Sequence, residues 1–170
     1  MRDPVQTEAL ERIYQLVSRS FLRYVVESAM PQGIPPGRGE GDAAEWDARA
    51  LVAFRTWYDE VLASQARLEE LLMAEKAHPV LPLWPLEFAQ FHLVSPSYLL
   101  RNMIDRMVEH LEDLREEAPG VRGWPEAEEA VADLLAKHDS HLAKVEALEA
   151  ERPKPPPKPA VKKGVSANFW

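Results

Sequence analysis

Apolar residues recur at spacings of three and four in four stretches of the chain, which predicts four amphipathic helices. The first runs from about Pro4 to Ala29, with Leu10, Tyr14, Val17, Phe21 and Tyr24 on one stripe. Pro4 suits its first turn, where the missing N–H would have no helical partner. The second begins at Asp42, a natural N-cap, and runs to about Lys76. Its stripe is Leu51, Phe54, Tyr58, Val61, Gln65, Leu68 and Leu72, with Gln65 the single polar member. The third spans Pro96 to Ala118, capped by Ser95 or Ser97, with Leu100, Ile104, Met107, Leu111 and Leu114 facing inward. The fourth runs from Pro125 to Ala150. Acids Glu126, Glu128 and Glu129 sit in its first turn, where they favour the helix dipole. Its stripe is Ala127, Val131, Leu134, His138, His141, Val145 and Leu148.

The connections differ in kind. Residues 31–41 carry three prolines and four glycines and read as a loop. Pro119-Gly120 ends the third helix. His78 to Pro96 holds four prolines, too many for a continuous helix, yet it is too apolar for a solvated linker. It reads as a long crossover packed along the helices, with a short helix at Leu86–Phe91. Four helices joined by short, long and short connections make an all-α four-helix bundle with one crossover between the second and third. The bundle occupies residues 1–150. Residues 151–170 read as a disordered, proline- and lysine-rich tail of polyproline-II character that ends in a short apolar stretch.

Composition narrows the classes of function. The chain has 170 residues and a net charge of −8. The tail holds five basic residues and one acid, so the first 150 residues carry −12. So acidic a body disfavours nucleic-acid binding, which needs a basic face against phosphate. No run approaches the ~20 apolar residues that span a bilayer, and the N-terminus lacks an apolar signal core. A cytoplasmic location and no membrane association are the expectation. The chain has no cysteine, which excludes disulfides, thiolate metal sites and cysteine nucleophiles. There is no phosphate loop and no nucleophile elbow.

Three stretches, in this order, resemble the ferritin-like (rubrerythrin/bacterioferritin-like) superfamily. They are Ser18 to Ser28 in the first helix, Pro85 to His92 followed by Ser97 to Leu100 and Met103-Ile104-Asp105, and Lys137-His138-Asp139-Ser140-His141-Leu142 in the fourth helix. The resemblance covers about residues 5–150. It implies a di-iron centre, with one glutamate from each of the first and third helices and a Glu-x-x-His pair from each of the second and fourth. Hard iron takes carboxylate oxygens, and imidazole completes each site. The sequence departs from that set. Val17 stands at the first helix's glutamate. Glu60 keeps the acid of the second helix, but Ala63 replaces its histidine. Asp105 is the third helix's match, and His138 with His141 replaces Glu-x-x-His in the fourth.

The candidate metal ligands are therefore His138, His141, Asp105 and Glu60, with iron or manganese as the ion. The competing reading is a pair of core histidines hydrogen-bonded to tyrosine, Gln65 or water. Helical periodicity places Glu60 away from the Phe54–Val61 stripe. His110 reads as solvated, and His78 and His92 form no cluster. Tyr14, Tyr24 and Tyr58 read as packed core residues, and Trp46, Trp57, Trp84 and Trp124 as anchors at helix ends or on the crossover. Asn168, Phe169 and Trp170, on a stiff spacer, are candidate residues for docking to a protein partner. Self-association into a homodimer through the crossover's apolar surface stays open. Two functions follow from these readings: a ferritin-like bundle without a standard di-iron centre that acts as a structural or partner-binding module, or a metal-dependent redox or iron-handling protein with an altered site.

Overall fold

The computed structural model describes residues 3–29, 42–91 and 96–153. The expectations for residues 31–41, His92, Ser95 and the docking residues Asn168, Phe169 and Trp170 lie outside them. The described residues are all-α, with no strand. Helix α1 spans Pro4–Ser18, α2 Phe21–Tyr24, α3 Asp42–Ala74, α4 Pro96–Glu117 and α5 Pro125–Ala150. A π-helical turn at Val25–Ala29 follows α2, and 3-10 turns occupy Leu86–Phe91 and Ala118–Val121. The last helix has the limits expected from the sequence, and the short helix at Leu86–Phe91 is the 3-10 turn.

The first expected helix is not continuous. It breaks at Arg19–Ser20, with no proline or glycine to mark the place. Ser18 Oγ donates to the Tyr14 carbonyl at 2.7 Å, a back-bond that competes with helical propagation. Arg19 then leaves helical geometry, and Ser20, extended at φ −61°, ψ 152°, caps a new turn. The apolar period survives the break, because Phe21 and Tyr24 still face the core.

Helix α3 packs chiefly on α5, α4 also packs on α5, and α1 lies against α3 and α4. The expected α5 stripe is buried at every position, from Ala127 to Leu148. Gln65 is buried because its polar atoms are used. It donates to Ser18 Oγ at 2.9 Å and accepts from Arg23 at 2.8 Å. Arg23 continues to Glu27, which also accepts from the Tyr58 hydroxyl. This chain of bonds fastens the broken first helix to α3.

Helix α3 ends on Lys76 at φ 62°. The N–H of Ala77 donates to the Leu72 carbonyl and that of Lys76 to the Met73 carbonyl, the paired bonds of a Schellman end. At the other end of the seam, Trp46 Nε1 donates to the Leu148 carbonyl at 2.8 Å, tying the start of α3 to the end of α5. The Ala118–Val121 turn presses on α1 so closely that a Cβ on Gly120 would meet Ala9 Cβ at 2.5 Å. Gly120→Ala is therefore expected to cost about 1–3 kcal/mol through overpacking, read as a fall of several degrees in Tm.

Candidate functional site

The histidines of α5 lie at the centre of the seam with α3. Positions 50, 54, 57, 61, 64 and 68 repeat at four and three residues along α3, which brings Trp57 onto the α5 side. Trp57 is thus a fully buried mid-helix residue, not an anchor at a helix end. Its Nε1–H donates to His138 Nδ1 at 3.1 Å. His138 accepts through Nδ1, so its proton sits on Nε2 and the ring is the neutral tautomer. The indole also stacks on His141, with ring centroids 5.8 Å apart and planes 13° from parallel. One tryptophan therefore fills the space beside both imidazoles.

A third histidine joins them from α4. His110 is buried, and its ring lies edge-on to His138 with centroids 5.3 Å apart. The expectation that His110 is solvated is incorrect. Met103, Met107, His110 and Leu114 repeat at four, three and four residues, and that row, displaced from the one read through Ile104 and Leu111, points at α5. Among the described residues, Nε2 of His110 and Nε2 of His138 have no hydrogen-bond partner.

Burial sets the protonation of this group. His110 is pushed down to about 4 by desolvation, with the Arg19 charge adding to the effect. His138 is held well below the ordinary histidine value by desolvation, then by its two histidine neighbours. The third member, His141, is buried as well, and it meets a carboxylate. Its Nε2 lies 2.9 Å from Glu60 Oε2, a contact at ion-pair distance but off line for a hydrogen bond. Glu60 is about half exposed, and its carboxyl is lowered chiefly by this contact with His141. Helical period places Glu60 off the Phe54–Val61 stripe, yet it stands one turn beyond Trp57, and its long side chain reaches over to the imidazole.

The candidate ligands therefore separate. His141 and Glu60 meet, His138 gives its Nδ1 to Trp57, and Asp105 is exposed on α4. Val17, where the resemblance would put a liganding glutamate, is core, and Ala63 is exposed. Among the described residues, no three histidine, aspartate or glutamate side chains gather closely enough to hold a metal ion. The residues present do not fit a di-iron centre: its glutamates are missing, and the space beside the histidine pair is packed with indole.

His110 alone of the three histidines borders a cleft of about 330 Å³ on the α4 side, lined in part by Arg19, Ser20, Arg106, Glu109 and Asp113. The Arg106 guanidinium stands 5.1–5.3 Å from the centroids of Phe21, Phe88 and Phe91. These contacts hold the Leu86–Phe91 turn against α2 and α4. Among the described residues, no helix is long and apolar enough to cross a membrane. Comparison with protein-family models, with curated proteins and with solved structures gives no match.

Proposed function

We propose that this chain is a ferritin-like four-helix bundle, with its proline-rich crossover between α3 and α4, that works as a structural or partner-binding module and not as a di-iron enzyme. The observation that carries this reading is the Trp57–His138 hydrogen bond. A ligand histidine needs one free nitrogen aimed at the ion and an acceptor for the N–H of its other nitrogen. Here the indole donates to one nitrogen, and the neighbouring groups are apolar or aromatic. Core packing is the use these contacts make of the histidines. In the same reading the tail contacts the partner through Asn168, Phe169 and Trp170.

Metal analysis tests this directly. Protein produced with iron or manganese supplementation and purified without chelator is expected to carry far less than one ion per chain. Stoichiometric iron or manganese, lost on changing His138 and His141 to alanine, would replace this reading with the metal-dependent one, using His138, His141, Glu60 and Asp105 in a rearranged site. The same protein shortened by residues 154–170 is expected to keep its melting temperature. A sharp fall would place the tail on the bundle instead of on a partner.

A further inference from the structure

The cleft of about 330 Å³ beside His110 is built by three parts of the chain. Arg19, where the first helix breaks, stands on one wall, α4 supplies Glu109, His110 and Asp113, and the Leu86–Phe91 turn adds Phe88. That volume lies at the small end of the range for ligand pockets.

The charges around the cleft are unevenly answered. Arg106 already has Glu87 at 3.5 Å and three aromatic rings about its guanidinium. Arg19, Glu109 and Asp113 line the same cleft, yet among the described residues none of their side chains makes a hydrogen bond or an ion pair. Glu109 and Asp113 are four residues apart on α4, where like charges repel each other. The Arg19 charge reaches His110 strongly enough to oppose its protonation. The lining therefore holds one unanswered cation and two unanswered anions, with apolar surface from Leu16, Phe21 and Phe88.

His110 adds a polar group that the fold leaves unused. It is 8% exposed, and among the described residues its Nε2 has no partner. Desolvation keeps the imidazole neutral, so recognition of charge falls to Arg19 and the two acids.

We propose that this cleft binds a free α-amino acid with an apolar side chain, its carboxylate on Arg19, its ammonium on Glu109 and Asp113 beside His110, and its side chain on Phe21 and Phe88. A guanidinium meets a carboxylate through two parallel N–H donors. An ammonium has three donors, enough for both acids and one further acceptor. A simple anion would leave the two acids unanswered, and a simple amine would leave Arg19 so. A residue inside a peptide carries neither charge. This binding does not depend on whether the bundle also has a protein partner.

Calorimetric titration of the full chain tests it, with L-leucine and L-phenylalanine as probes. At least one is expected to bind saturably, one molecule per chain. Isocaproate, which is leucine without its amine, and isoamylamine, which is leucine without its carboxylate, should each bind about tenfold more weakly or worse, the effect of one lost charge-assisted contact. Arg19→Gln and Asp113→Asn should weaken amino-acid binding to a similar degree. Arg12→Gln makes the same change of charge on α1 outside the cleft and should leave it unaltered. Circular dichroism of the three variants should match the parent, and the imidazole signals of His110 should shift as the amino acid saturates. No saturable binding of either amino acid at millimolar concentration overturns the proposal. So does equal binding by Arg19→Gln and the parent, or isoamylamine binding as tightly as leucine, which would make the cleft an amine site.

Discussion

Trp57→Ala is expected to cost about 3–5 kcal/mol, the range for deleting a buried aromatic side chain. A domain's whole stability is only ~5–15 kcal/mol, so Tm should fall by roughly 10 °C or more. Two losses combine. The indole is wholly buried between α3 and α5, so its removal opens a void. His138 Nδ1 also loses its donor in a place water does not readily reach. Trp57→Phe weights the two differently, since it keeps one aromatic ring and leaves a smaller void while still removing the N–H. An unpaired buried acceptor should cost ~1–3 kcal/mol. Adding His138→Leu to Trp57→Phe removes the orphaned acceptor and should recover part of that loss. Equilibrium urea unfolding of the set measures the coupling. A Trp57→Phe protein as stable as the parent would mean that the bond to His138 contributes nothing.

Acid should weaken the fold through the same cluster. An unfolded histidine titrates near 6.5. In the folded chain His110 sits at about 4, and His138 is also held far down. Above pH 6.5 both states are neutral at these positions and stability does not change. Below it the unfolded chain takes up protons that the folded chain refuses, so stability falls as pH drops from 6.5 toward 4. For His110 alone the loss approaches ~3 kcal/mol, about 1.4 kcal/mol for each pH unit between its unfolded and folded titration points. His138 adds a loss of the same sign. Arg19 sharpens the effect at His110, because it already repels a charge there. Glu60, lowered by His141, contributes stability above its unfolded value that is lost as pH falls through its folded one, again in the same direction. Urea midpoints between pH 7.5 and 4.5 should decline with a slope approaching two protons per chain. A midpoint flat down to pH 5 would show that the histidines already titrate normally in the folded state.

The parts of the fold that are legible in the sequence are those that depend on one helix at a time. Pro125, the acids behind it and an unbroken three-four stripe define α5, because each acts within the helix itself. The break in the first helix is hidden, since Ser18 and Ser20 act there through hydroxyl bonds and no proline or glycine announces it. Breadth of face explains the rest. Helix α3 packs on α5, α1 and α4 and also meets α2 and the π-helical turn, so its buried surface is wider than one stripe, and Trp57 lies on a flank outside that stripe. His110 escapes the pattern for a similar reason, as α4 buries the row through Met103 and Met107. Glu60 shows a third limit: period places its backbone, but not the reach of its side chain to His141. The expected ligand positions His138 and His141 fall in the seam between α3 and α5, while two of the side chains that surround them, Trp57 and His110, come from outside the expected pattern.

The central claim is that His138 is a neutral core residue held by Trp57. Long-range nitrogen–proton NMR of the imidazoles tests it most directly, because it reads the tautomer of each ring. His138 should show a proton on Nε2 and a bare, hydrogen-bonded Nδ1, unchanged from pH 8 to pH 5 and unaffected by added manganese or zinc. A His138 resonance that titrates near pH 6.5, or that shifts or broadens stoichiometrically with the metal, would contradict it.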